Sequence, residues 1–109
     1  MLELDHTNFD EQVYDTDGVC LVAFSRKTCH VCKEVMPMLE ELAGQNTDPE
    51  IRFCHVDAED EQALFKRFPL KGVPSILFFR DGEYKGKLGG PVEEEDVLGK
   101  LAAVKGVED

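Results

Sequence analysis

Long apolar runs, basic residues and glycine-rich phosphate loops are what this sequence has least of, and each shortage removes a class of function. No stretch approaches the ~18 consecutive apolar residues of a membrane-spanning helix. The opening Met1-Leu2-Glu3-Leu4-Asp5-His6 has no basic segment leading into an apolar one, so no secretory leader is expected and the expected compartment is the cytoplasm. Lysine and arginine number 12 against 23 aspartates and glutamates, a net charge of −11. So acidic a chain lacks the basic footprint that nucleic acid and anionic membrane surfaces require, and neither is an expected partner. Without a Gly-rich phosphate loop, the chain is expected to bind no nicotinamide or flavin cofactor itself. The acidic runs at 57–61 and 93–96 lack the glycine and carboxylate spacing of a calcium loop and read as solvated helix starts.

Cysteine is also sparse, at four residues: Cys20, Cys29, Cys32 and Cys54. A secreted domain could use four in two structural bridges. Here the apolar runs suffice for a core and no export signal is seen, so a Cys-x-x-Cys pair points to redox or metal chemistry. Zinc ribbons need a second spaced pair. Cys54 and His55 are adjacent, and neighbours on a strand point to opposite faces, so no metal site is expected. Cys20 and Cys54 fall in apolar strands and read as small buried hydrophobes; a second disulfide between them requires the strands to bring them within bonding distance.

What is present runs from end to end. The 109 residues are one domain's worth, with no repeat, linker or low-complexity tract. Leu2 to Leu4 is a short opening strand, and a first helix is expected over about Asn8 to Tyr14. Val19-Cys20-Leu21-Val22-Ala23-Phe24 has the pattern of a strand buried on both faces. After the cysteine pair the period becomes helical, with Val31, Val35, Met38, Leu39 and Leu42 on one face and Gly44 closing the helix. Ile51 to Val56 is a second buried strand, so strand, helix and strand form a parallel pair with a right-handed crossover. Ala58 to Phe68 predicts a short helix and Ser75 to Phe79 a third strand. Asp81-Gly82 is a tight hairpin turn, and Tyr84 to Leu88 the antiparallel return. Pro91 suits the first turn of a last helix whose buried stripe is Val97, Leu98, Leu101 and Val104. Glu93 to Asp96 complement its positive end, and Lys100 and Lys105 its negative end. The sum is an α/β domain with a mixed sheet.

Chemistry concentrates at Cys29-His30-Val31-Cys32, where the central strand has ended and the long helix begins. Two residues between cysteines in a first helical turn can hold the sulfurs close enough to bond, so the ring can open and close with little backbone movement. A helix N-terminus favours thiolate over thiol, and the thiolate is the nucleophile of disulfide exchange. Cys29, nearer the open end, is assigned as the attacking nucleophile, and Cys32, one turn in, as the resolving thiol. Between Gly18 and Lys33 there is no acid at all, in a chain with 23 of them. Arg26, Lys27, Lys33 and His30 there are expected to form a cationic collar that lowers the thiolate pKa; the plain alternative is solvated surface charge of slight effect. Pro37 interrupts the helical hydrogen bonding five residues past Cys32, and Gly72-Val73-Pro74 precedes the third strand.

In this order and spacing, the Cys-x-x-Cys after a buried strand, Lys33 beside it, Pro37, Val73-Pro74 before a strand and the Asp81-Gly82 hairpin together resemble the thioredoxin family, over essentially the whole length. The resemblance implies a single thioredoxin-like domain over 1–109, a three-layer α/β/α sandwich around a central mixed β-sheet. It implies a thiol–disulfide oxidoreductase that reduces protein disulfides, works as a monomer and takes electrons from a flavoprotein thioredoxin reductase. It implies a cis Val73-Pro74 bond facing the cysteines, with Pro74 shaping a groove for an extended substrate segment, Val73 offering backbone groups, and Gly89 and Gly90 flanking it.

Departures from the family pattern mark what is particular to this chain. Members usually carry Trp just before the first Cys and Gly-Pro between the pair; here the residues are Thr28, His30 and Val31, and tryptophan is absent. The buried Asp six residues before the first Cys is Ala23, and its accompanying Lys is replaced by Phe53. The usual proton route is therefore missing. His30 could carry the proton or stabilise the Cys29 thiolate, or simply face solvent. Stabilising the thiolate would make the disulfide more oxidising. Two alternatives stay open: a more oxidising disulfide exchange protein, and an interaction module that senses redox state without turnover.

Overall fold

The computed structural model describes residues 1–106, so positions 107–109 of the expected domain lie outside the described residues. The strands are β1 (Leu2–Leu4), β2 (Val19–Ser25), β3 (Ile51–Asp57), β4 (Ser75–Arg80) and β5 (Glu83–Gly89). The α-helices are α1 (Cys32–Gln45), α2 (Gln62–Lys66) and α3 (Glu94–Lys105), and a short π-helical segment covers Asp10–Tyr14. The strands join in one sheet in the order β1-β3-β2-β4-β5. β3 runs parallel to both β1 and β2, and β4 is antiparallel to both β2 and β5. The sheet is thus mixed.

β2 sits in the middle because every one of its residues is buried. An apolar run with no polar face has nowhere else to go: it must be covered on both sides. Leu21, Ala23 and Val19 face α1 and α3, packing with Val35, Leu39, Leu42, Val97, Leu101 and Val104. Cys20, Val22 and Phe24 face the other way, against Phe9, Val13 of the π-helical segment and Leu64 of α2. Two cores on either side of one sheet make the three-layer α/β/α sandwich.

Several boundaries differ from the sequence expectation for local reasons. α2 begins four residues late, because Ala58 N–H continues the strand ladder to the Ser25 carbonyl at 2.8 Å. The Asp57 carboxylate then receives the N–H groups of Glu59 and Asp60 at 2.9 and 3.2 Å, holding a turn where a helix is expected. Pro91 lies before α3 and not in its first turn. The helix instead starts with a reciprocal cap between Glu93 and Asp96. Leu98, expected in the buried stripe, is 47% exposed, since Val97, Leu101 and Val104 already fill the face toward the sheet. α1 runs one residue past Gly44, to Gln45, and is followed by the cap residue Asn46, whose side-chain amide donates to the Asp48 and Ile51 carbonyls.

Gly18 shows how tightly the β2 entrance is joined. Its φ is +89°, and a Cβ placed there would lie 2.5 Å from the Glu50 carbonyl oxygen. That oxygen cannot retreat, because it accepts the Val19 N–H at 2.7 Å. Gly18→Ala combines left-handed strain with a backbone clash. It is expected to lower stability by more than about 1 kcal/mol, read as a lower denaturant midpoint at unchanged slope.

Candidate active site

β2 delivers the chain to a loop, Arg26 to Val31, that α1 closes. Cys29 and Cys32 are joined as a disulfide with Cα atoms 5.2 Å apart. Cys29 is half-buried, whereas Cys32 is only 3% exposed. The first-turn N–H of Cys32 donates to Cys29 Sγ at 3.1 Å. A free amide aimed at sulfur at a helix start is the local device that stabilises a thiolate. Cys29 Sγ also lies 3.7 Å from the Val73 carbonyl oxygen.

Val73 and Pro74 are joined by a cis bond. Along with Gly89 and Gly90 they line a groove of about 500 Å³, flanked by Lys71 and Lys87. The Gly90 N–H donates to the Pro74 carbonyl at 3.1 Å, which draws the end of β5 to this groove. The four residues that the resemblance implies for a substrate groove therefore share one surface beside Cys29.

The supporting residues divide. Val31 is half-buried against the α1 core, and Thr28, His30, Lys33 and Pro37 are exposed. Pro37 lies inside α1 and leaves the Lys33 carbonyl without its usual helical donor. The cationic collar is smaller than its sequence. Lys27 Nζ is 2.6 Å from Asp57 Oδ2 and 3.2 Å from Asp60 Oδ2, so its charge is engaged away from the sulfurs. The Arg26 guanidinium stands 5.4 Å over the Phe65 ring. Charge runs in the sequence do not reveal such partners, because Asp57 ends another strand and Asp60 lies in the turn that follows it.

The Lys27–Asp57 contact ties the loop before Cys29 to the end of β3. Burial pushes the Asp57 carboxyl up, but the Lys27 ammonium and the Asp60 and Glu59 N–H groups outweigh it and leave the pKa lowered. A lowered folded pKa means that the unfolded chain binds more protons in acid. The stabilisation is thus complete above the unfolded value of about 4 and is lost as pH falls through the folded value. Asp57→Asn is expected to flatten the acid limb of the stability profile below about pH 4, measured by denaturant titration at a series of pH values.

Cys20 and Cys54 approach to 3.5 Å between sulfurs, both fully buried on the face away from α1. They are free thiols that pack as core. The shared hydrogen bond with Cys20, together with burial, pushes the Cys54 thiol far above the ordinary cysteine range.

One constellation is not apparent from the sequence. Ser25, at the end of β2, has its Oγ 2.5 Å from His55 Nε2. His55 Nδ1 lies 2.9 Å from both carboxylate oxygens of Glu3. Ser25 in turn lines a cavity of about 330 Å³ together with Cys32. The only sequence signal is that Ser25 and His55 share strand parity with Ala23 and Phe53. Their meeting depends on the β2–β3 register.

A mixed sheet carrying a disulfide-bonded Cys-x-x-Cys at the mouth of its central helix, with a cis-proline groove alongside, defines the class: a thiol–disulfide oxidoreductase. The Thioredoxin family model matches residues 1–103, and the chain belongs to the thioredoxin family. It is 31% identical over 97 residues to a thioredoxin of Staphylococcus haemolyticus, covering 89% of this chain and 90% of that protein. It is 37% identical over 94 residues to protein disulfide-isomerase erp38 of Neurospora crassa, covering 79% of this chain but only 25% of that longer protein. Among solved structures, a mutant thioredoxin from Halobacterium salinarum superposes with a TM-score of 0.83 at 26% identity, covering 95% of this chain and 89% of its own.

Proposed function

We infer that this chain acts as a single domain that reduces disulfides in other proteins, with Cys29 as nucleophile and Cys32 as resolving thiol. The observation that carries the reading is the Cys32 N–H aimed at Cys29 Sγ at the start of α1. In the reduced protein that amide and the helix terminus stabilise the Cys29 thiolate, which attacks a substrate sulfur. Cys32, shielded inside the turn, then attacks Cys29 Sγ and releases the substrate thiol. An extended substrate segment lies in the groove at Pro74, pairing with Val73 backbone groups between Gly89 and Gly90. Electrons return from a thioredoxin reductase, the chain works as a monomer, and its compartment is the cytoplasm. Its family generally acts on disulfide-bearing proteins, which supports that substrate class.

A second reading, a more oxidising exchange protein, is favoured by one observation: Ala23 and Phe53 pack in the apolar core where the family pattern has an acid and a lysine. The reduction potential of the Cys29–Cys32 pair separates the two. Equilibration in defined dithiol buffers is expected to give a value near about −270 mV, as for a reductant. A value near about −180 mV or higher would overturn that direction of flux and favour disulfide formation or rearrangement.

A further inference from the structure

We propose that Ser25, His55 and Glu3 form a proton relay that removes the Cys32 thiol proton when Cys32 resolves the mixed disulfide, an inference that rests on the assignment of Cys29 and Cys32 above.

The resolving thiol is only 3% exposed, so direct loss of its proton to bulk water is hindered. Ala23 and Phe53 are apolar and can take no proton. Two residues further along the α1 face of β2 stands Ser25, and His55 is the β3 partner of Ala23 in the register. Ser25 and His55 are therefore diagonal neighbours on the face that α1 covers, at the end of the sheet where Cys32 lies.

The hydrogen-bond directions follow from the ends of the chain. An ionised Glu3 carboxylate only accepts, so His55 Nδ1 carries a proton and Nε2 is left as the acceptor. The Ser25 hydroxyl hydrogen then goes to Nε2, at 2.5 Å. The remaining Ser25 lone pairs are free to accept from a donor in the cavity. In the cavity that Ser25 lines, Cys32 is the buried donor of the reduced protein, while Arg26 and Lys33 are exposed. The cavity has room for a bridging water. At the far end, Glu3 is 70% exposed and His55 16%, so the relay runs from a buried thiol to the surface.

The Cys32 thiol proton passes to Ser25 Oγ, directly or over one water, as the Ser25 hydroxyl proton passes to His55 Nε2. The Cys32 sulfur forms its bond to Cys29 Sγ, the Cys29–substrate bond breaks, and the substrate leaves as a thiolate that takes a proton from solvent. The substrate disulfide is reduced by two electrons and the Cys29–Cys32 dithiol is oxidised by two. The imidazolium, held by Glu3, later returns its proton to solvent.

The test separates the two chemical steps by rapid mixing of the reduced protein with a disulfide-bonded protein. Mixed-disulfide formation reports Cys29, and release of the substrate thiol reports Cys32. His55→Gln keeps a hydrogen bond to Ser25 but takes no proton, and is expected to slow release roughly a hundredfold while formation stays within about twofold. Ser25→Ala is expected to match it, Ser25→Thr to retain the wild-type rate, and imidazole in the buffer to restore release in His55→Ala. Release at the wild-type rate in His55→Gln would overturn the relay, as would equal slowing of both steps, which marks a structural role. Slowing in Glu40→Gln alone would also overturn it, since Glu40 lines the same cavity. If the wild-type protein forms no mixed disulfide at all, the roles of Cys29 and Cys32 fall first, and the relay with them.

Discussion

Cys29→Ser is expected to lose protein-disulfide reduction by at least about a thousandfold, and Cys32→Ser to lose turnover by a similar factor while accumulating a mixed disulfide with substrate. The two losses differ in kind. Without Cys29 no covalent step begins, because a serine hydroxyl at this site is not ionised near neutral pH and does not open a disulfide. Without Cys32 the first attack proceeds, since the backbone N–H at that position still reaches the sulfur of Cys29, but nothing displaces the substrate. The expected asymmetry follows from exposure: the sulfur of Cys29 is half-buried and within reach of a substrate, whereas that of Cys32 is only 3% exposed. Denaturing gel and mass analysis of alkylated samples distinguish these outcomes. A trapped adduct in Cys29→Ser and none in Cys32→Ser would reverse the assignment, and equal residual turnover in both would remove it. Partner binding that survives Cys29→Ser in a protein without turnover would instead mark a redox-sensing interaction module.

Phe24→Ala is expected to cost about 3–5 kcal/mol of stability. Phe24 is completely buried one residue before Ser25, with ring centroids 6.1 Å from Phe65 and 5.9 Å from Phe68 in edge-to-face contact. Removing the ring takes away apolar burial and leaves a cavity between a central strand and the α2 layer, where the backbone is pinned by neighbours on both sides and cannot collapse inward. Against a typical domain stability of about 5–15 kcal/mol, this is a large fraction. Thermal unfolding should fall by more than about 12 °C. Leu98→Ala serves as the comparison. It deletes an apolar side chain that is 47% exposed, so it should stay within about 0.5 kcal/mol of the parent. A small effect at Phe24 would mean that the β2 core on the α2 side is not as closely packed as described.

The active-site sulfurs are legible in the sequence because their chemistry is local. Cys29 and Cys32 are separated by two residues, and a strand-to-helix transition needs only neighbours to declare itself. The groove is partly legible, since Val73-Pro74 and Gly89-Gly90 stand at the two ends of a predicted hairpin, and the antiparallel pairing of Ser75 with Gly89 brings them together. The cationic collar is legible only in part. Lys27 looks free along the chain, yet it is claimed by Asp57 and Asp60, 30 and 33 positions away. The start of α2 escapes the sequence for a related reason: the Asp57 turn depends on β3 ending beside Ser25.

Strand and helix order, the class of fold and the reactive pair can all be read along the chain. Those rest on periodicity, on apolar runs with no polar face, and on bonded neighbours, all of which act over a few residues. Which side chains share a face across strands depends instead on how distant strands pair. Residues 3, 25 and 55 have nothing in common along the chain. They meet because β1 and β2 both pair with β3 in parallel, in a register set by burial of alternating apolar residues. A slip of one residue would send His55 to the other face of the sheet, away from Ser25, and leave the Cys32 cavity without its hydrogen-bonded path to the surface.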